Sequence, residues 1–542
     1  MEDPETAAFQ LWKGLRPGDA YLSGIDEAGG TLFIPTRENI RSKRSELDAI
    51  WRSTLDISLR SLLRWSRCDL DMQEPQRPPF DIHRTAAGHI IKGGIQNPLL
   101  QPLLRQSRTY LERAASDLRV KRWPLETQFL TLSALDRLKD LLKGLPRSST
   151  ISEPVKDLLG MVKEYGELFP LGDISRYGHE DVVSTLEEGD GHVGRGDIYP
   201  RILGELYGCP DRAAVIEGSL LLELYSEIPG LKRSMEGLSD IYGTDPDLYD
   251  IDVEIASQRR IRVQETIPCI ENIRNSMIYW GIRRLVDYPH EVDVGFIETP
   301  SYLRSCIPTM RMVNMDGLPA RPRTDLFITL DPGSYRPLSF PDLVLMISKE
   351  ELGGRAHYLN SYLRPLENVK GTDLLSPSLM GATTMGFAMA RGLEVLGMLR
   401  DMSSRRTELL KDEMVLVESI ELYCPLDDLV SDLEFLLFKE RVLDLVKAVA
   451  DIRVNSGKES ILEFMRWAQI ISGLGEAVIL DAIWDAVSNP GLYASGMSIS
   501  IGIRKASHEK LDQGVSPREF NTYSTSLGFP AWKVLRERVL EI

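Results

Sequence analysis

A mainly α-helical fold with a small central β-sheet is what this sequence predicts, and three observations predict it. Apolar residues recur at three- and four-residue spacing over long stretches. Short β-prone runs bounded by Pro and Gly are confined to one region near the middle of the chain. The 542 residues, 43% apolar and 27% charged, are enough to bury a core without cross-links.

Helical spacing covers Arg37 to Trp65, Pro124 to Lys143, Pro154 to Leu168, Pro210 to Glu227, Ile251 to Leu285, Leu426 to Ala450 and Lys458 to Ser488. The β-prone runs are Val294-Gly-Phe-Ile-Glu, Met310-Arg-Met-Val-Asn-Met and Asp325-Leu-Phe-Ile-Thr-Leu. Directly after them, Pro341 to Leu363 reads as a helix opened by Pro341-Asp342 and crossed by Gly353-Gly354. Thr383 to Met402 reads as the next. Breaks near Pro146, Glu187 and Tyr242 are too short to be interdomain linkers. The expectation is an N-terminal helical region, residues 1–190, followed by residues 191–542 carrying the sheet (about 294–330) and the helix after it (about 341–363), or one continuous body with a lateral cleft. Repeats and low-complexity tracts are absent.

Charge narrows the partners. The net charge of −16, from 80 acidic and 64 basic residues, repels phosphate backbones, so nucleic acid is not expected. The pairs Arg259-Arg260 and Arg405-Arg406 lie in acid-rich helical segments and read as solvated faces. The most apolar stretch, Met380 to Leu399, is interrupted by Arg391 and Glu394, and the first residues are acidic, so neither a membrane span nor a secretory leader is expected. Five scattered cysteines, Cys68, Cys209, Cys269, Cys306 and Cys424, suit buried thiols in a reducing cytoplasm. Oligomeric state is not readable.

Several chemistries lack their motif. Gly191 to Gly196 has no Lys-Ser/Thr and follows no strand, so it is not a phosphate loop. There is no Gly-x-Ser-x-Gly elbow. The dipeptides His179-Glu180, His290-Glu291 and His508-Glu509 have no histidine four residues after the first, so none makes a His-Glu-x-x-His metal motif.

What remains centres on the helix after the sheet. Glu350 and His357 are seven apart, two helical turns, and with Glu394 of the next helix they could form a carboxylate-rich metal site or an acid–base pair. The alternative is that Glu350 pairs with neighbouring cations and His357 is an ordinary helix histidine. Gly353-Gly354 costs about 1 kcal/mol per residue against Ala in a helix, so close backbone approach, to a ligand or to a packed helix, should require it. Arg304, Arg311, Tyr335 and Arg336 border the sheet and would suit an anionic ligand such as a peptide carboxylate, or else form surface ion pairs.

A series of local matches resembles the family catalogued as domain of unknown function 885. They are Gly194-Arg-Gly-Asp-Ile-Tyr-Pro-Arg-Ile-Leu, Ile297-Glu-Thr-Pro-Ser-Tyr-Leu-Arg, Thr324-Asp-Leu-Phe-Ile-Thr-Leu-Asp-Pro, Asn489-Pro-Gly-Leu-Tyr-Ala-Ser-Gly-Met-Ser-Ile-Ser-Ile-Gly and Ser516-Pro-Arg-Glu-Phe-Asn, in that order. The resemblance implies a helical, gluzincin-like zinc peptidase body with its zinc helix after the sheet. The family's zinc helix reads His-Glu-x-x-Pro-Gly-His-His, and the matching segment is Lys349-Glu350-Glu351-Leu352-Gly353-Gly354-Arg355-Ala356. Glu350 keeps the general-base position and Gly354 the glycine, while Lys349 and Arg355 replace the histidines. The match to the third ligand helix, Arg391-Gly-Leu-Glu394-Val-Leu, puts Arg391 where a carboxylate belongs, and the family's Phe-His helix has Asn521. Lysine and arginine do not ligate zinc while protonated. The resemblance thus implies a peptidase scaffold without its cofactor, a pseudoenzyme whose cleft takes a peptide or small anion. A hydrolase with a reorganised site at Glu350, Glu351, His357 and Glu394 is the alternative. Pairing of Lys349 or Arg355 with Glu394 is the expected refilling of the pocket.

Overall fold

The computed structural model describes residues 3–72, 82–118, 125–146, 150–169, 179–187, 196–262, 265–304, 306–307, 310–318, 320–330, 337–367, 369 and 377–542. The architecture is mainly α, with one three-stranded sheet among the described residues. The strands are β1 (Val294–Glu298), β2 (Met310–Met315) and β3 (Arg323–Ile328). β3 is central: β1 pairs parallel to it, Val294 opposite Thr324, and β2 antiparallel, Met310 opposite Ile328.

Strand alternation makes the sheet a partition between two cores. Leu326 and Ile328 of β3 join a core that runs from Ala8 to Val539. Phe327 points the other way, into a second core built from residues 82–169 with Leu303 and Ile307. Residues Ala8 to Leu70 belong to the first core, so the cores do not divide at residue 190. None of the five cysteines is in a disulfide, and all but Cys306 are buried. No described helix is long and apolar enough to cross a membrane.

Three of the long helical readings break in two. Arg37–Ser53 and Ile57–Met72 are separate because the Asp56 carboxylate accepts the Leu59 N–H at 2.9 Å and starts a new helix. Ile461–Ser472 stops at Gly473, whose φ of 71° is the left-handed conformation of a helix C-terminus, before Glu476–Ser488 begins. Leu248–Gln258 and α1 (Thr266–Arg284) flank a segment where Arg260 forms a backbone bridge to Ser339.

The rod after the sheet carries the candidate site. Its first part, α2 (Phe340–Met346), starts with a capping box in which Ser339 and Asp342 exchange hydrogen bonds. A π-helical stretch, Ile347–Arg355, follows and passes into α3 (Ala356–Leu363). Against the rod pack α4 (Pro377–Ser404), α5 (Leu426–Arg453) and α7 (Pro517–Thr525), while α6 (Leu492–Asp512) packs on α4 and α5. α4 and α6 run parallel, since Gly381 faces Leu492, Gly386 faces Ile499 and Glu394 meets Ser507.

Candidate functional site

The glycine pair has a packing reason. A Cβ on Gly353 would lie 2.7 Å from the Cα of Ala388 on α4, and one on Gly354 would lie 3.2 Å from Thr384 Cγ2. The rod therefore presses backbone to backbone on α4, and any side chain at 353 would force the two apart. The π-helical turns lie at this contact and span all of Lys349 to Arg355. Their i→i+5 bonding invalidates a 3.6-residue projection, so the sequence argument that put Glu350 and His357 on one face does not apply here.

Arg355 and Glu351, both fully buried, form one ionic cluster. Glu351 accepts from Arg274 Nε at 3.1 Å and Nη2 at 2.9 Å, from Arg355 Nη1 at 2.6 Å and from the Tyr288 hydroxyl at 3.0 Å. Arg355 also donates through Nε to Thr324 Oγ1 at 2.7 Å and through Nη2 to the Val292 carbonyl. Burial acts to raise the Glu351 pKa, but the Arg355 and Arg274 guanidiniums outweigh it and hold it below the usual carboxylate range. Through Nε Arg355 ties the rod to β3 and through Nη2 to the segment before β1, while its Nη1 braces Glu351, which itself holds Arg274 of α1.

Lys349 leaves the rod elsewhere. Its ammonium donates to Glu440 of α5, and its stem lies over Gly392, whose absent Cβ would come within 3.0 Å of it. Burial disfavours the charge, yet Glu440 and Asp444 keep the lysine protonated, with its pKa raised. Glu350, half-buried beside it, has no hydrogen-bond partner among the described residues. Its pKa is raised by burial against the opposing pull of Lys349 and Arg311.

A third cluster holds the remaining positions. Arg391, fully buried, donates through Nη1 to Glu394, which also receives Asn521 Nδ2 at 2.9 Å and Ser507 Oγ at 3.4 Å. Asn521 further donates to the Leu285 carbonyl at 3.0 Å. The Nε and Nη2 atoms of Arg391, the Asn521 Oδ1 and the Ser500 hydroxyl are buried without a hydrogen-bond partner among the described residues. The expected pairing of Lys349 or Arg355 with Glu394 is thus corrected. Lys349 and Arg355 leave the rod towards different partners, Arg391 lies on α4, and each of the three has its own carboxylate.

His357 is a core histidine. Its Nε2 donates to the Gly528 carbonyl at 2.9 Å, and its ring lies 4.4 Å from Phe387 and 4.8 Å from Phe529, centroid to centroid. Burial lowers its pKa to about 4 from 6.5, so it is neutral at pH 7. The unfolded chain takes up the proton first as the pH falls. The stability that His357 contributes is therefore whole above pH 6.5 and is lost as the pH drops towards 4, by roughly 3 kcal/mol at the end of that range. We expect urea midpoints of the wild type to fall more steeply between pH 7.5 and 4.5 than those of His357→Gln, which keeps a donor for Gly528 but does not titrate. Parallel pH profiles would show that His357 is not buried neutral.

Of the four residues expected beside the sheet, Arg311 is exposed on β2 and near enough to act on Glu350, and Arg304 is half-buried after β1 with its Nε unpartnered. Tyr335 and Arg336 lie outside the described residues. Sequence reasoning missed Arg274, Tyr288 and Glu440, which decide what Glu351, Arg355 and Lys349 do. A zinc ion of the kind the resemblance implies does not fit this donor set. The positions offer one ammonium and two guanidiniums, all ion-paired, and among the described residues no group of three His, Cys, Asp or Glu is placed to hold a metal.

The fold and these clusters define a helical protein with a charge-filled site beside a small sheet. Two solved structures share its fold over nearly the whole length. One is a candidate lipoprotein of unknown function from Shewanella oneidensis, with a TM-score of 0.61 at 13% identity, covering 99% of this chain and 98% of that one. The other is a candidate lipoprotein from Colwellia psychrerythraea, with a TM-score of 0.63 at 12% identity and the same coverage. No family model and no curated protein matches the sequence.

Proposed function

We propose that the chain is a degenerate metallopeptidase-type scaffold, related to the family of domain of unknown function 885, that binds a peptide or small anionic ligand and does not hydrolyse it. One observation carries the reading: each cation at a resembled zinc-ligand position is committed to a carboxylate of its own, Lys349 to Glu440, Arg355 to Glu351 and Arg391 to Glu394. Removing a metal from such a site leaves buried acceptors in need of counter-charge, and these pairs supply it. The anionic ligand class is supported by the unpartnered Nε and Nη2 of Arg391, the side-on edge that meets a carboxylate with two donors. Thiols outside any disulfide go with a cytoplasmic setting.

A second reading rests on Glu350, a half-buried carboxylate with a raised pKa and no hydrogen-bond partner, which could serve as a general base in a hydrolase. His357 and Glu394 do not join it, being committed to Gly528 and to Arg391. Metal analysis by mass spectrometry, on protein purified without chelator, together with peptide hydrolysis assays, separates the two. We expect less than a tenth of an equivalent of transition metal and no hydrolysis. One equivalent of metal, with cleavage lost in Glu350→Gln, would establish the hydrolase.

A further inference from the structure

Away from the ion-paired clusters, the structure contains a cavity of about 330 Å³ between the N-terminal helices and the starts of α4 and α6. Gly381 and Leu492 lie in its wall, so it sits about 15 Å along α4 from Arg391. Its volume is within the range of about 300–1000 Å³ that accepts small organic ligands. One side is apolar, formed by Leu32, Phe33, Ile82 and Leu206.

The polar lining includes Arg16, Arg84 and Tyr207, together with Asp19, a carboxylate that has a partner of its own. Arg16 is already neutralised by Asp69, to which it donates from both Nε and Nη2. Arg84 is exposed, and its guanidinium bonds only to the neutral side-chain carbonyl of Asn489, with no carboxylate paired to it among the described residues. Tyr207 is 5% exposed, and its hydroxyl has no hydrogen-bond partner among the described residues. Its ring is packed from behind by Gly491, where a Cβ would come within 2.6 Å. Burial and then the Asp451 carboxyl raise the Tyr207 pKa, and the charges of Arg16 and Arg84 act against them. The hydroxyl is not sealed off, so a ligand in the cavity can take the hydrogen bond that water would otherwise accept from it. A carboxylate would accept from both the phenol and the Arg84 guanidinium, and an apolar chain attached to it would lie on the apolar part of the lining.

We infer that this cavity binds a small monocarboxylic acid with an apolar body, its carboxylate received by Arg84 and the Tyr207 hydroxyl and its chain lying on Leu32, Phe33 and Ile82. The acid enters carboxylate-first past the exposed Arg84 or is held with its head at the mouth; either way the charge and the apolar wall are read together. This site is separate from the degenerate one and does not depend on the reading of it.

The test is calorimetric titration of the full chain with straight-chain monocarboxylates from butanoate to decanoate, and with 1-octanol as the uncharged comparison. We expect one-to-one saturable binding of at least one acid, at least tenfold tighter than octanol. Arg84→Gln should weaken it tenfold or more, and Tyr207→Phe threefold or more. Leu32→Trp, which fills the cavity from a half-buried position, should abolish it, with melting temperatures confirming that each variant is folded. Arg391→Met should leave it unchanged. No saturable binding by any of the acids, octanol binding as tightly as octanoate, or an unaffected Arg84→Gln would overturn the proposal. Loss of binding in Arg391→Met but not in Arg84→Gln would place the ligand at the degenerate site instead, overturning this proposal while leaving that reading intact.

Discussion

Glu351→Ala should be among the most destabilising substitutions in the protein, lowering the free energy of unfolding by about 3–5 kcal/mol. Glu351 is where two guanidiniums and a phenol meet in a volume closed to water. Deleting it leaves Arg355, fully buried, with no counter-ion and only Thr324 and the Val292 carbonyl as acceptors. Arg274 suffers less because its side chain retains 12% exposure and can turn towards water. Arg355→Met should cost less, about 1–3 kcal/mol, since Glu351 keeps Arg274 and Tyr288. The double variant Glu351→Ala with Arg355→Met removes both charges and should be less destabilised than the two single losses added together. Chemical denaturation of all three variants measures the coupling. A loss below 1 kcal/mol in Glu351→Ala would mean that the cluster is hydrated and not the anchor of the rod.

The same cluster shows what could be read from the chain and what could not. β1 and β2 were legible to the residue, and β3 starts two positions before its β-prone run, because short runs between Pro and Gly have few alternatives. Helix breaks were less legible. Asp56 in Leu55-Asp-Ile-Ser-Leu and Gly473 in Ser-Gly-Leu-Gly are both ordinary stop or start signals, but each lies inside continuous apolar spacing that masks it. At the site, the substitution of the histidines was visible from the resemblance, and so was the presence of carboxylates to balance the cations. The pairing was not. Glu351 takes Arg274 from 77 positions upstream and Tyr288 from 63, and Lys349 takes Glu440 from 91 downstream. The expected refilling paired Lys349 or Arg355 with Glu394 of the next helix, whereas along the π-helical turns Lys349 reaches Glu440 and Arg355 reaches Glu351. One signal was available. Glu351 and Arg355 stand four apart, the spacing of an intrahelical ion pair, and the pair persists in the structure.

Asp451→Ala should produce a loss of similar size, about 3–5 kcal/mol, for a different reason. Asp451 is a fully buried acid in the otherwise apolar run Ala448 to Ile452 of α5, which is itself the signal that could have found it. Its carboxylate accepts the Gly491 N–H at 2.8 Å, the Ala494 N–H at 3.0 Å and Asn455 Nδ2 at 2.9 Å, so it closes the first turn of α6 from a neighbouring helix. Tyr199 lies beside it, so two of the resembling segments, the one ending in Tyr-Pro-Arg-Ile-Leu and the one starting Asn-Pro-Gly, converge on this single residue. Gly491 completes the arrangement with a φ of 85° and no room for a side chain against Tyr207. Truncating Asp451 strands two buried N–H donors at once. Asp451→Asn keeps one oxygen as acceptor but turns an NH2 towards the donors, so its loss should fall between zero and that of alanine. Denaturation midpoints order the three proteins, and an asparagine variant as unstable as alanine would mean that the negative charge, not the acceptor geometry, holds the turn. Because Leu492 and Tyr207 both line the 330 Å³ cavity, loosening this turn should also weaken any acid bound there, although Asp451 never touches it.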